Sequence, residues 1–129
     1  MKHLLLALAL IPVLTSCQKD DPKFIGGKGG STVLILSPKH HTRYIDSCTI
    51  YVKYNTKDAP SGGYDDSMVC SNFGAKPTAT FSNLKKGDYY LYGYGYDTLI
   101  HQNVKGGFGY SITADATSIP LDVPVTEGD

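Results

Sequence analysis

Asp88 to Tyr96 reads DYYLYGYGY, and its alternation decides the fold. Tyr89, Leu91 and Gly93 fall on one side of an extended chain; Tyr90, Tyr92, Tyr94 and Tyr96 fall on the other. A period of two belongs to a strand, whose successive side chains point to opposite faces. Upstream, Cys48 to Tyr54 (CTIYVKY) repeats the pattern, with Cys48, Ile50, Val52 and Tyr54 on one face and Thr49, Tyr51 and Lys53 on the other. Thr32 to Ser37 (TVLILS) and Thr78 to Ser82 (TATFS) are shorter runs of the same kind, and Ser67 to Cys70 is a weaker one. Asn83 to Gly87 (NLKKG) reads as a turn. Asn103-Val104 and Gly109 to Thr113 are expected to form a further strand, or a hairpin around Gly106-Gly107. Ser118 to Val125 (SIPLDVPV) places Ile119, Leu121, Val123 and Val125 on one face, while Pro120 and Pro124 lack N–H groups on the same flank. That predicts an edge strand with its prolines toward solvent. No run of ten or more residues after the N-terminal segment carries a helical period. The expectation is all-β: a seven-stranded antiparallel Greek-key β-sandwich over residues 32–129.

Composition bounds the function. The 129 residues suffice for one modest domain. Twelve Lys and Arg balance twelve Asp and Glu, which argues against a nucleic-acid partner and gives no electrostatic drive toward an anionic bilayer. Ten tyrosines, fourteen glycines and no tryptophan suit a turn-rich β domain.

The N-terminus carries a different signal. Lys2 and His3 precede an apolar run from Leu4 to Leu14, interrupted only by Pro12. A bilayer-spanning helix needs about 20 apolar residues, so this run reads as a cleaved signal peptide over residues 1–16. Leu14-Thr15-Ser16-Cys17 follows directly and resembles the lipobox of bacterial lipoproteins. The resemblance implies that Cys17 is alkylated by diacylglycerol and becomes the new N-terminus, since a thiolate is the nucleophile the reaction requires. Each buried methylene adds about 0.8 kcal/mol, so the two or three acyl chains of such proteins hold firmly to a membrane. The next residues, Gln18-Lys19-Asp20-Asp21, resemble the export signal that sends lipoproteins of Bacteroidota-type bacteria to the outer face of the outer membrane. Gln18 to Ser31 (QKDDPKFIGGKGGS) has no apolar period and reads as a flexible linker with a reach of roughly 20 Å.

Phe81-Ser-Asn-Leu-Lys-Lys-Gly-Asp-Tyr-Tyr-Leu91 resembles the Phe-x-x-Leu-x-x-Gly-x-Tyr-x-Leu signature of prealbumin-like domains, the transthyretin-like and carboxypeptidase-regulatory-like modules. Pro38 to Tyr54 is similar to the first hairpin of that family. The resemblance implies an Ig-like sandwich in which Leu84 plugs one end, Gly87 permits the reversal, and Tyr89 and Leu91 point inward. Such modules act mostly as binding or spacer domains, so it implies a non-enzymatic role.

Few residues offer chemistry. Tyr90, Tyr92, Tyr94 and Tyr96, joined by Tyr51, would form an aromatic platform able to stack on a sugar ring or anchor an envelope protein. The alternative is that neighbouring side chains cover them and they only stabilise the sheet. Cys48 and Cys70 suggest a disulfide between sheets, closing a loop of about 22 residues and adding roughly 3 kcal/mol, or else two buried thiols. His40 and His41 are adjacent, and on extended backbone they point opposite ways, so no metal site is expected there. Tyr64-Asp65-Asp66, with Asp46 or Asp97, lacks the spacing of a calcium loop. No nucleophile motif, phosphate loop or paired catalytic carboxylates stand out, and no cofactor is expected. The expected function is a lipid-anchored, non-catalytic binding or accessory module for an envelope protein or glycan, with a purely structural spacer as the alternative.

Overall fold

The computed structural model describes residues 24–71 and 76–128. The expected signal peptide, Cys17, Lys19, Asp20 and Asp21 lie outside these residues. The described chain is all-β, with strands β1 (Lys28–His40), β2 (Arg43–Tyr44), β3 (Ser47–Tyr54), β4 (Asp66–Val69), β5 (Ala79–Leu84), β6 (Gly87–Asp97), β7 (Gln102–Ile112) and β8 (Ser118–Glu127). They form one mixed, curled sheet in the order β2-β1-β8-β7-β6-β3-β4, with β5 also on β1. Ser71 and Thr78 exchange backbone hydrogen bonds of 2.9 and 3.1 Å, tying the chain after β4 to the chain before β5. This bridge brings the far end of the strand order back toward β1.

Strand β6 positions the rest. It runs antiparallel to β3 from Tyr54↔Tyr89 to Ser47↔Tyr96, and to β7 from Gly87↔Ile112 to Asp97↔Gln102. Its inward series, Tyr89, Leu91, Gly93, Gly95 and Asp97, is wholly buried. Around it pack Leu34, Leu36, Ile50, Val52, Phe81, Leu84, Ile112 and Val123. Burying each large apolar side chain contributes roughly 1.5–3 kcal/mol. Ile45, Val104 and Val125 form a smaller cluster.

Three expectations need correction. First, the strands are not all antiparallel: β1 and β8 pair in parallel from Val33↔Ser118 to His40↔Val125. A period of two reports which face is buried and says nothing of strand direction, so the alternation could not show this. Pro120 and Pro124 are exposed, as expected, but β8 lies between β1 and β7 rather than at an edge. It tolerates them because its ladder to β7 is confined to Val104↔Glu127 and Lys105↔Thr126. Second, Gly106-Gly107 is no hairpin, for β7 runs straight through it. The reversal between β6 and β7 is made by Thr98 to His101.

Third, strand structure is already present before Thr32. β1 starts at Lys28, and Gly26 and Gly27 are already buried. The Gly26 N–H donates to Asn55 Oδ1 (2.7 Å), and the Gly27 N–H donates to the Tyr89 hydroxyl (2.8 Å). The glycines permit close approach rather than flexibility. A Cβ on Gly30 would lie 2.1 Å from the Leu84 carbonyl oxygen. A Cβ on Gly87, which holds φ at +150°, would lie 2.6 Å from the Gly26 nitrogen.

Tyr89 fastens this segment to the core. Its hydroxyl accepts from Gly27 N and donates to the Lys85 carbonyl at 2.6 Å, and Tyr89 itself is fully buried. Tyr89→Phe keeps the ring but leaves both backbone groups without this partner, at a cost of about 1–3 kcal/mol. Urea unfolding should show a lower midpoint with an unchanged slope; an unchanged midpoint would contradict this role.

Candidate functional site

Two clusters of functional side chains use the opposite faces of β6. On the outer face, register sets the tyrosines across strands: Tyr92 lies opposite Tyr51 on β3, Tyr94 opposite Thr49, and Tyr96 opposite Ser47. On the other flank Tyr92, Tyr94 and Tyr96 face Gly107, Lys105 and Asn103. The rings are not equally accessible. Tyr51 and Tyr92 pack at 6.1 Å between centroids, and Tyr64 stacks on Tyr92 at 5.5 Å and 15°. Burial first, then neighbouring phenols, pushes the Tyr64 and Tyr92 hydroxyls up. Tyr90 covers Gly107, where a Cβ would come within 2.9 Å of its hydroxyl oxygen. Only Tyr94 (45 %) and Tyr96 (37 %) remain exposed. The expected four-ring platform is therefore half packed and half open. Tyr94 and Tyr96 border a shallow depression of about 340 Å³ with Asp46, Ser47, Thr49 and Asn103. Tyr64 was not expected on this face, because the segment before β4 shows no strand period that would place it there.

The second cluster lies at the inward end of β6. Asp97 continues the series Tyr89, Leu91, Gly93 and Gly95, and so enters the interior as a carboxylate. It is fully paired. Its Oδ2 lies 2.7 Å from His40 Nδ1 and accepts from Arg43 Nη2 at 2.7 Å, while its Oδ1 accepts from the Leu99 N–H at 2.9 Å. The hydrogen bond from His40 leads in holding the Asp97 carboxyl down to about 2, with Leu99 N–H and Arg43 adding to it. His40 is 2 % exposed, and its Nε2 hydrogen-bonds Glu127 Oε2. Asp97, and then Glu127, raises the His40 pKa against the opposing effect of burial. The Glu127 carboxyl is held down by its own backbone N–H and then by His40.

His41 corrects the expectation about the histidine pair. With Thr42 it makes the β1–β2 turn, and its backbone is left-handed at φ 54°. The two rings therefore lie together, centroids 4.3 Å apart, instead of on opposite faces. His41 Nε2 lies 3.8 Å from Glu127 Oε2. The parity of Asp97 on β6 was the available clue to this cluster, since a carboxylate on an inward position requires partners.

The other candidates lie apart. Asp65 accepts from the Tyr54 N–H at 2.7 Å, Asp66 pairs with Lys28 at 3.5 Å, and neither joins Asp97. Cys48 and Cys70 are both buried free thiols. They are neighbours on β3 and just past β4 in adjoining chain segments of one sheet, and the Cys70 N–H donates to the Cys48 carbonyl at 2.9 Å. Cys48 Sγ donates to the Thr49 carbonyl at 3.6 Å, and the neighbouring Cys70 and then burial push the Cys48 thiol up.

Directly opposed residues of an antiparallel pair lie about 4.5–5.5 Å apart at Cα, within the span of a disulfide. Diamide oxidation of a Cys17→Ser chain should consume both thiols within one molecule and lower its mass by two hydrogens. Thiols that stay reactive, or that link only between molecules, would contradict this pairing. Comparison with protein-family models and with curated proteins gives no match for this chain.

Proposed function

We propose that this protein is a lipid-anchored, non-catalytic binding module of the bacterial outer envelope, and that it takes a glycan on the outer face of β3 and β6. The single observation that carries the binding role is the open pair Tyr94 and Tyr96 beside a depression rimmed by Asp46, Ser47, Thr49 and Asn103. Rings supply faces for sugar C–H groups, and the polar rim supplies donors and acceptors for hydroxyls. Tyr51, Tyr64 and Tyr92 pack into a rigid base beside it, which lowers the ordering cost of binding. The anchor rests on the apolar run Leu4 to Leu14 followed by Leu-Thr-Ser-Cys17, and surface display rests on Lys19-Asp20-Asp21. A prealbumin-like sandwich, with β5-β1-β8 as one layer and β7-β6-β3-β4 as the other, is the architecture that best accounts for the curl of the sheet and for the buried Phe81, Leu84, Tyr89 and Leu91.

One observation favours a second occupant. Among the described residues the ladder of β4 is to β3 alone, and its Met68 and Val69 are exposed. An extended segment of an envelope protein could add to that edge.

One experiment on whole cells separates the parts of this proposal. Cells producing the full chain should retain it and capture members of an array of soluble polysaccharides. Cys17→Ser should release the chain to the aqueous fraction. Tyr94→Ala with Tyr96→Ala should leave it anchored and folded but lower capture at least tenfold. Capture that survives the double substitution would overturn the glycan face, and retention of the Cys17→Ser chain would overturn the lipid anchor.

A further inference from the structure

The cluster at the end of β1 has the arrangement of a metal site, and the tyrosine face makes no use of it. His40, His41 and Glu127 each offer one ligand atom, and these atoms lie within 4.8 Å of one another. We propose that His40 Nε2, His41 and the Glu127 carboxylate bind a divalent first-row metal ion of the Zn²⁺ class.

Four features support this assignment. The first is the donor set: two imidazoles and one carboxylate suit Zn²⁺, Cu²⁺ or Ni²⁺, whereas Ca²⁺ and Mg²⁺ prefer oxygen alone. The second is the fixed post. His40 is buried, and its Nδ1 faces the buried carboxylate of Asp97 at 2.7 Å. A carboxylate on the far nitrogen sets the tautomer, aims the other nitrogen outward and raises its basicity, as for histidines that ligate metals. Asp97 is thus a positioning residue, itself held by Arg43 and the Leu99 N–H.

The third is adjustability. Zinc ligands sit about 2.0–2.2 Å from the ion, so the donors must draw together slightly. His41 and Glu127 have side chains 71 % and 45 % exposed, and rotation can supply this movement without disturbing the core. The fourth is topology. The parallel register puts Val125 beside His40, which brings Glu127, two residues on and on the same face, to the imidazole. Two adjacent histidines and a glutamate from the far end of the chain converge through backbone geometry. With three protein ligands, a fourth position is left for water or an anionic group.

The test is titration of the full, untagged chain, treated with chelator, using Co²⁺ alone and Zn²⁺ alone. Co²⁺ should give the visible absorption of a low-coordinate nitrogen and oxygen site, and Zn²⁺ should displace it at one equivalent and raise Tm. His41→Ala and Glu127→Gln each change an exposed side chain, so both should fold, and each should weaken Zn²⁺ binding at least tenfold. Asp97→Asn should weaken it about 10–100-fold if it folds. His101→Ala should bind as the parent does. Absence of the Co²⁺ bands, or equal Zn²⁺ affinity in the parent, His41→Ala and Glu127→Gln, would overturn the assignment.

Discussion

The parallel pairing of β1 with β8 sets the positions of both the interior side chains and the ionic cluster. Eight consecutive register pairs, from Val33↔Ser118 to His40↔Val125, hold the last strand against the first. That contact directs Val123 and Val125 into the interior and leaves the prolines outside. It is anchored at its start by the loop after β7: Val33 N donates to the Thr117 carbonyl, and the Thr32 hydroxyl donates to that of Ala114, both at 2.8 Å. A slip of one residue would turn every side chain of β8 to the other face. It would expose Val123 and Val125, bury Pro124 and carry Glu127 away from His40.

Strand β6 joins the two candidate sites because it is used on both sides. Its inward positions begin with Tyr89, whose hydroxyl secures the entering chain, and end with Asp97, whose carboxylate secures His40 and Arg43. Small residues at Gly93 and Gly95 lie between. A Cβ on Gly93 would sit 3.0 Å from a Val125 methyl, so the glycine lets β8 come close enough to close the interior. Its outward positions supply the tyrosines, and their packing partners differ along the strand. Near the start Tyr90 lies over Gly107, in the middle Tyr92 packs with Tyr51 and Tyr64 in a three-ring cluster, and at the end Tyr94 and Tyr96 are open. The open end of the aromatic row and the buried ionic cluster therefore both belong to the Asp97 end of β6, on opposite faces of the sheet.

Period-two alternation made much of this legible. It located the inward faces of β3, β6 and β8 residue by residue, and Ile50, Val52, Tyr89, Leu91, Val123 and Val125 are all buried. What it missed has specific causes. Alternation is blind to strand direction, hence the parallel pair. Glycine has two uses, freedom and closeness, and composition does not distinguish them; Gly26 to Gly30 read as a tether but run hard against Leu84 and Gly87. Gly106-Gly107 suggested a turn for the same reason, yet they leave room for the Pro124 carbonyl and the Tyr90 ring. Adjacent histidines point opposite ways only on extended backbone, and the left-handed backbone at His41 breaks that geometry. Tyr64 reaches its place through a loop, and loops carry no period.

The register of β1 against β8 is open to direct measurement by nuclear Overhauser contacts between backbone protons. Contacts should join Leu36 to Leu121 and His40 to Val125, in the staggered pattern of parallel strands. Close contacts between opposing α-protons, or a pairing of His40 with Ser118, would mean that the two strands run in opposite directions, and the convergence of Glu127 on His40 would be lost with them.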